Sequence, residues 1–372
     1  MTGEPTPGPG ATNGTAHGER LPIADTPGAL TPEWLTWAMG DRLGGASVTG
    51  VHVQLLGTGQ MCDSVRLRLR YDRGPGGPPT LVAKLPAADP TSRATAVMLR
   101  CYETEVRFYQ QLSASLPVHT PAVLHADIDA DGGSFVLLLE DLAPAEPGDQ
   151  LAGCTPEQAA IAVGELVRLH APRWGDPALA TLPWLHRDPE ANRAFLAGLL
   201  PSLWDGFRDR YGPQLGPEVH RAGDSLFAAL GRYLSPDSAQ STVVHGDYRL
   251  DNLLFDDERA TVAVVDWQMA AHGPALGDVA YFIGAGLLPD DRRPHEADLV
   301  RRYHHGLVAA GVTGYEWERC WRDYRRASLG GLVMAVAASM LVERTDRGDE
   351  MFLAMAHRHA QHALDLDAPA VL

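Results

Sequence analysis

From Val243 to Trp267 the chain reads Val243-Val-His-Gly-Asp-Tyr-Arg-Leu-Asp-Asn-Leu-Leu-Phe255, then Asp256-Asp-Glu-Arg259, then Val262-Ala-Val-Val-Asp266-Trp267. Two apolar runs of strand length flank a polar loop and a turn, and the second run ends in a carboxylate. The pattern predicts a buried strand feeding a loop, then a short hairpin, all of which must be enclosed by other elements. It would bring Asp247, Asn252 and Asp266 together. Such a trio suits magnesium-assisted phosphoryl transfer. Mg²⁺ prefers oxygen ligands, which a carboxylate and an amide supply, and a second carboxylate kept off the metal can accept the proton of an attacking hydroxyl. The five-residue step from Asp247 to Asn252 matches the spacing of a kinase catalytic loop. The same residues could also make a plain polar turn with an Asx cap and a strand-end aspartate. His245-Gly246 ahead and the apolar hairpin behind favour the catalytic reading.

The rest of the chain divides around this island. Residues 1–20 read as a disordered tail, and Thr31-Pro-Glu-Trp34 opens a short helix. Val51, Val53 and Leu55, then Val65, Leu67, Leu69 and Tyr71, alternate with polar residues as two half-buried strands. Between them lies the glycine turn Gly57-Thr-Gly59-Gln. A third strand covers Thr80–Leu85, a helix runs from about Thr91 to Ser113, and two more strands follow at Ala122–Asp127 and Phe135–Glu140. Beyond Asp141 the pattern is mostly helical, beginning with the capping box Thr155-Pro-Glu-Gln158. A strand-rich part at 21–140 and a helical part at 141–372 predict two lobes meeting near Glu140.

Charge narrows the function. A net charge of −16 argues against nucleic-acid binding through phosphates, which needs a basic face. The longest apolar stretch, Leu329 to Val342, is too short to span a bilayer, and the first residues lack the apolar core of a signal peptide. A cytoplasmic protein, binding neither nucleic acid nor membrane, is expected. The scattered Cys62, Cys101, Cys154 and Cys320 read as free thiols. Among 31 basic residues only Lys84 is a lysine. A chain that otherwise uses arginine throughout keeps this one ammonium where a compact point charge serves better than a planar guanidinium.

Through His245-Gly-Asp-Tyr-Arg-Leu-Asp-Asn252, Val265-Asp-Trp-Gln268 and Gly277-Asp-Val-Ala-Tyr-Phe282 the chain resembles the aminoglycoside phosphotransferase and choline kinase family, in particular its ecdysteroid-kinase-like branch. The likeness covers about residues 45 to 360. It implies an α+β, protein-kinase-like bilobal fold, with a small β-rich N-terminal lobe and a larger helical C-terminal lobe. It also implies ATP and Mg²⁺ as cofactors and a small hydroxylated molecule as phosphoryl acceptor. By the resemblance Asp247 is the catalytic base, Asn252 and Asp266 hold Mg²⁺, Asp278 braces the loop, and Arg249 steadies the transferring phosphoryl group. Lys84 would bind the α- and β-phosphates and pair with Glu105. Gly57 and Gly59 would belong to a phosphate-covering hairpin, and Glu140 to the hinge that receives adenine.

Acceptors open to such a chain include aminoglycosides or other antibiotics, choline-like alcohols, hydroxylated steroids and hydroxyacyl-CoA thioesters. In its Tyr-Arg-Leu-Asp-Asn form the loop resembles the ecdysteroid-like and acyl-CoA-associated branch, which implies an apolar or bulky hydroxylated acceptor, expected to contact the segment from about 180 to 235 and parts of the C-terminal helices. A pseudokinase that binds nucleotide without turnover is the rival reading. His357, His359 and His362 read as a solvated helix face rather than a metal site. Arg319, Arg322, Arg325 and Arg326 likewise read as a solvated face. Trp317, Trp321 and Tyr324 read as core, and His170 as packing.

Overall fold

The computed structural model describes residues 21–57, 61–74, 76–186, 188–235 and 240–372. Helix α1 (Pro32–Met39) starts where the sequence signals it, with the Thr31 hydroxyl accepting the Trp34 N–H at 3.2 Å. The alternating segments then form β1 (Val48–Leu55), β2 (Cys62–Tyr71) and β3 (Thr80–Pro86). After helices α2 (Pro90–Met98) and α3 (Cys101–Gln111) come β4 (Val123–Ile128) and β5 (Phe135–Glu140). These five strands make one antiparallel sheet in the order β1-β2-β3-β5-β4. Period two sorts its faces. Val65, Leu67, Leu81, Ala83, Leu85 and Leu138 pack on Trp34 and Leu35 of α1, while Phe135, Leu137 and Leu139 join the core that includes Phe108 of α3.

The single helix expected over 91–113 is two. The break falls at Arg100, which has φ 60° and ψ 28° in the left-handed region. No glycine or proline marks it, and the apolar periodicity runs on through it, so the sequence carries no sign of the turn. Its consequence is large, because α3 is free to set its own direction against the sheet and the second lobe.

Past the short strand β6 (Glu146–Pro147) the chain is helical: α4 (Pro156–His170), α5 (Pro189–Tyr211), α6 (Pro217–Ala228) and α7 (Leu230–Leu234). The capping box of Thr155 and Gln158 opens α4. Then come β7 (Ser241–Val244), β8 (Leu253–Asp256), β9 (Thr261–Val264) and β10 (Ala271–Pro274), paired antiparallel as β6-β8-β9 and β7-β10. Helices α8 (Leu276–Gly286), α9 (Pro289–Ala309), α10 (Trp317–Ala327), α11 (Leu329–Leu341) and α12 (Asp346–Asp365) complete the chain. No helix among the described residues is long and apolar enough to cross a membrane. The four cysteines are free and buried.

Of the two expected solvated faces, the histidine face is largely buried, while the arginine face is part exposed, at Arg322, and part half-buried. His359 and His362 of α12 are fully buried. They occupy niches at glycines: a Cβ on Gly331 would stand 2.0 Å from His359 Nδ1, and one on Gly284 2.4 Å from His362 Nδ1. The glycines of two neighbouring helices, not any feature of α12, make that room. His357 is half-buried against Glu218 at 2.7 Å. In the arginine run, half-buried Arg325 bonds the Leu366 carbonyl near the end of α12, and half-buried Arg326 the carbonyls of Arg232, Tyr233 and Ser235 at the end of α7. Tyr324 is buried as expected, with Trp317 and Trp321 partly buried beside it.

Candidate active site

The loop after β7 is held from behind by one carboxylate. His245 N–H and Gly246 N–H donate to the two oxygens of Asp278 at 2.7 and 2.9 Å, and His170 Nε2 lies 3.2 Å away. Burial alone would raise the Asp278 carboxyl, but the bonds and charges of His170 and His245 hold it below its ordinary value. His170, expected as packing, is therefore part of this brace. Gly246 has φ +80°, and a Cβ there would come within 2.3 Å of the Met269 carbonyl oxygen, so glycine is required at the turn.

That turn delivers Asp247. Its Oδ2 accepts from Asn252 Nδ2 at 2.9 Å and from Arg249 Nε at 3.2 Å, and its Oδ1 accepts from the Tyr281 hydroxyl at 3.1 Å. Asn252 Nδ2 also donates to the Asp247 carbonyl at 2.8 Å. Arg249 reaches Asp251 as well, and its Nη1 lies 3.3 Å from Met351 Sδ on α12. Burial works against the Arg249 charge, yet Asp247 and Asp251 hold it firmly protonated. Burial, then the Asp247 charge, push the Tyr281 hydroxyl well above its ordinary range, so it remains a donor.

A second cluster joins the two lobes. Lys84 of β3 is buried, and its Nζ donates to Glu105 Oε1 of α3 at 2.6 Å and to Asp266 Oδ1 at 2.8 Å. Burial would strip the ammonium of its proton, but the two carboxylates keep it well above its ordinary value. The carboxylates divide unequally. Burial pushes Glu105 up against the pull of Lys84. Asp266, for all its own burial penalty, is held down by Lys84. Asp266 is the more open of the two, with 24% of its side chain exposed against 2% for Glu105.

Asp266 sits at φ 70° and ψ 65°, an uncommon conformation for a residue with a side chain. The next residue secures it. Trp267 is fully buried, stacks on Phe108 of α3 at 3.8 Å between ring centroids, and donates its N–H to Glu105 at 3.2 Å. The Val265 N–H donates to the Asn252 carbonyl at 3.0 Å, which ties the loop to the end of the hairpin. As a candidate magnesium site the donors fit. Asn252 spends its amide nitrogen on Asp247 and retains the amide oxygen, and Asp266 adds a carboxylate. Among the described residues there is no cluster of three or more His, Cys, Asp or Glu that could hold a metal. Two hard oxygens, with the remaining ligands coming from phosphate or water, are the kind of set magnesium accepts.

The other expected site residues are more peripheral. Gly57 follows β1 in a left-handed turn with φ +62°, and Gly59 lies outside the described residues. Glu140 ends β5 exposed, and its carboxylate accepts the Ala122 N–H at 3.2 Å. Sequence reasoning missed Tyr281 as a neighbour of Asp247. It lies inside the quoted Gly277–Phe282 motif, but helix periodicity alone marks it as core. It likewise missed Gln150, whose side chain accepts the Leu250 N–H at 3.0 Å and donates to the Ala285 carbonyl at 2.9 Å.

Residues 66–325 match the model of the family described as "Phosphotransferase enzyme family". Choline kinase from Cryptosporidium parvum is similar in structure with a TM-score of 0.52 and 12% identity, over 87% of this chain and 91% of that one. Aminoglycoside 2'-phosphotransferase-IIIa, solved as its GDP complex, superposes with a TM-score of 0.50 and 14% identity, over 84% and 94%. At such identities the likeness is one of fold, the kinase-like arrangement of a β-rich first part and a helical second part. In sequence, 55 residues are 49% identical to acyl-CoA dehydrogenase family member 10 of Mus musculus, a match covering 14% of this chain and 5% of that protein.

Proposed function

This chain belongs to the phosphotransferase enzyme family, and on that premise we propose that it transfers the γ-phosphate of ATP to a hydroxyl of a small molecule with the help of Mg²⁺. The observation that carries the proposal is the bond from Lys84 of the strand-rich part to Asp266 at 2.8 Å, with Asn252 bonded to Asp247 at 2.9 Å and the Val265 N–H tying the Asp266 hairpin to the Asn252 carbonyl. Asp247 accepts the proton of the attacking hydroxyl. Asn252 and Asp266 hold the magnesium, which when bound neutralises charge on the phosphates. Lys84, oriented by Glu105, binds the α- and β-phosphates. Arg249, which donates to Asp247 at 3.2 Å, steadies the transferring group in this reading. The Gly57–Gly59 turn covers the phosphates, and the backbone beside Glu140 receives the adenine.

The acceptor falls among antibiotics of the aminoglycoside type, choline-like alcohols, hydroxylated steroids and hydroxyacyl-CoA thioesters, with an apolar or bulky one preferred. In support, Leu196, Leu199, Met334 and Met351 of α5, α11 and α12 are only partly buried, and Met351 reaches Arg249 on the loop. The test is Mg-ATP-dependent phosphoryl transfer, followed by mass shift, across a panel of these four acceptor classes. A product carrying one added phosphate, absent with Asp247→Ala, supports the reading and names the class. Asp247→Ala should cut turnover by roughly 10²–10⁴-fold while Mg-ATP still binds. Tight nucleotide binding by a wild-type chain that transfers phosphate neither to these acceptors nor to water would instead favour a nucleotide-binding module without turnover. Failure to bind nucleotide would sink the proposal.

A further inference from the structure

The Asp247 carboxylate is not equally open at its two oxygens. Oδ2 takes two donors, Asn252 Nδ2 and Arg249 Nε, which use both of its lone-pair directions. Among the described residues Oδ1 takes one, the Tyr281 hydroxyl. The geometry points to Tyr281 as a positioning residue that holds Asp247 so that the remaining lone pair of Oδ1 receives the acceptor's proton. This rests on the phosphotransferase reading above and adds which oxygen acts and what aims it.

Tyr281 is itself aimed. Its ring lies flat on the imidazole of His359, 5.3 Å between centroids and 5° between planes. His359 is fully buried, and neither of its ring nitrogens has a hydrogen-bond partner among the described residues. What the imidazole presents here is a flat surface parallel to the Tyr281 ring. Gly331 gives the imidazole room, since a Cβ there would stand 2.0 Å from the ring. The chain thus buries a polar ring, at some cost in unpaired nitrogens, directly behind the donor to Oδ1.

In the transfer step the acceptor oxygen bonds the γ-phosphorus and its proton goes to Asp247 Oδ1. The bond from the γ-phosphorus to the bridging oxygen breaks, and its electron pair leaves with ADP. Without the Tyr281 hydroxyl, Asp247 keeps its two donors at Oδ2 but loses the one contact among the described residues that fixes the direction of Oδ1.

The test needs no knowledge of the acceptor, because water can serve as one. ATP hydrolysis in Mg-ATP alone would be measured for the wild type, Asp247→Ala, Tyr281→Phe, His359→Ala and the Tyr281→Phe/His359→Ala double variant, with melting temperature and ATP affinity alongside. Tyr281→Phe keeps the ring and its stack. It should lower kcat roughly tenfold or more, the scale of one hydrogen bond to a charged group, with KM for ATP and melting temperature nearly unchanged. His359→Ala should lower kcat in the wild-type background and add nothing further on Tyr281→Phe, whatever it does to melting temperature. Hydrolysis that depends on Asp247 but is unchanged in Tyr281→Phe overturns this inference and leaves the phosphotransferase reading standing. An equal further loss of kcat from His359→Ala in both backgrounds also overturns it, because that is the mark of general structural damage. Absence of Asp247-dependent hydrolysis in the wild type would overturn the inference together with the base role it rests on.

Discussion

Lys84 and Asp278 are both buried charges, and the molecule satisfies them in opposite ways. Asp278 is bound by two backbone N–H groups and a buried histidine, partners fixed by the chain path itself. Lys84 is bound by two side chains, one sealed on α3 and one, Asp266, partly exposed. Backbone partners cannot leave without unfolding the loop, whereas a partly exposed carboxylate can turn from a lysine toward a cation. The contrast separates a brace from a working group: charge held by main chain fixes position, and charge held by side chains can be re-partnered when a ligand arrives.

Three experiments would break or sharpen that contrast. The largest effect is expected from Asp278→Ala, which leaves His170 and two N–H groups buried without their acceptor. A loss of about 3–5 kcal/mol should appear as a lower urea midpoint. Near-native stability with activity lost would move Asp278 to the working side. Next comes Lys84→Arg, which preserves charge but not shape. Activity should fall by about 10²-fold, the scale for losing one preorganised electrostatic contact, while the urea midpoint moves far less than for Asp278→Ala. Full activity in this variant would show that the lone lysine carries no special requirement.

The smallest effect concerns pH. Burial holds His359 and His362 below the ordinary histidine value, so the unfolded chain takes up protons below about pH 6.5 where the fold does not. Stability should therefore fall as pH drops from 6.5, by up to about 1.4 kcal/mol per pH unit for each histidine, until the folded-state value is reached. Asp266 and Asp278, both held below the ordinary aspartate value, lose their contribution only at lower pH, below about 4. Urea midpoints at pH 7, 6 and 5, for the wild type and His359→Leu, separate the windows. An unchanged slope in the variant would remove His359 from the account.

Much of the architecture was legible in the chain. Alternation in 51–55 and 65–71 and the strand-length run at 80–85 marked the sheet, and Thr31 and Thr155 marked helix starts, because these signals are local and follow from backbone period and capping chemistry. The strings around Asp247, Asn252 and Asp266 were legible for the same reason, since loop and hairpin keep them near one another in sequence. What failed was non-local. The break at Arg100 leaves the apolar period intact, so no count of residues reveals it. The histidines of α12 looked solvated because polar residues usually are, and only the glycines of α8 and α11 give them room.

The sequence by itself determined the kinds of chemistry available: one lysine, a loop carrying Asp247 and Asn252, a carboxylate ending a strand, and glycine where Gly246 must turn. Short-range covalent geometry and side-chain type suffice for that. Only the tertiary structure decided which groups meet. Lys84 finds Asp266 182 residues away, Tyr281 comes to rest on Asp247, and His359 comes to rest behind it. Those pairings depend on how helices and sheet close-pack around a shared core, a property of the whole assembly that no window of the chain contains.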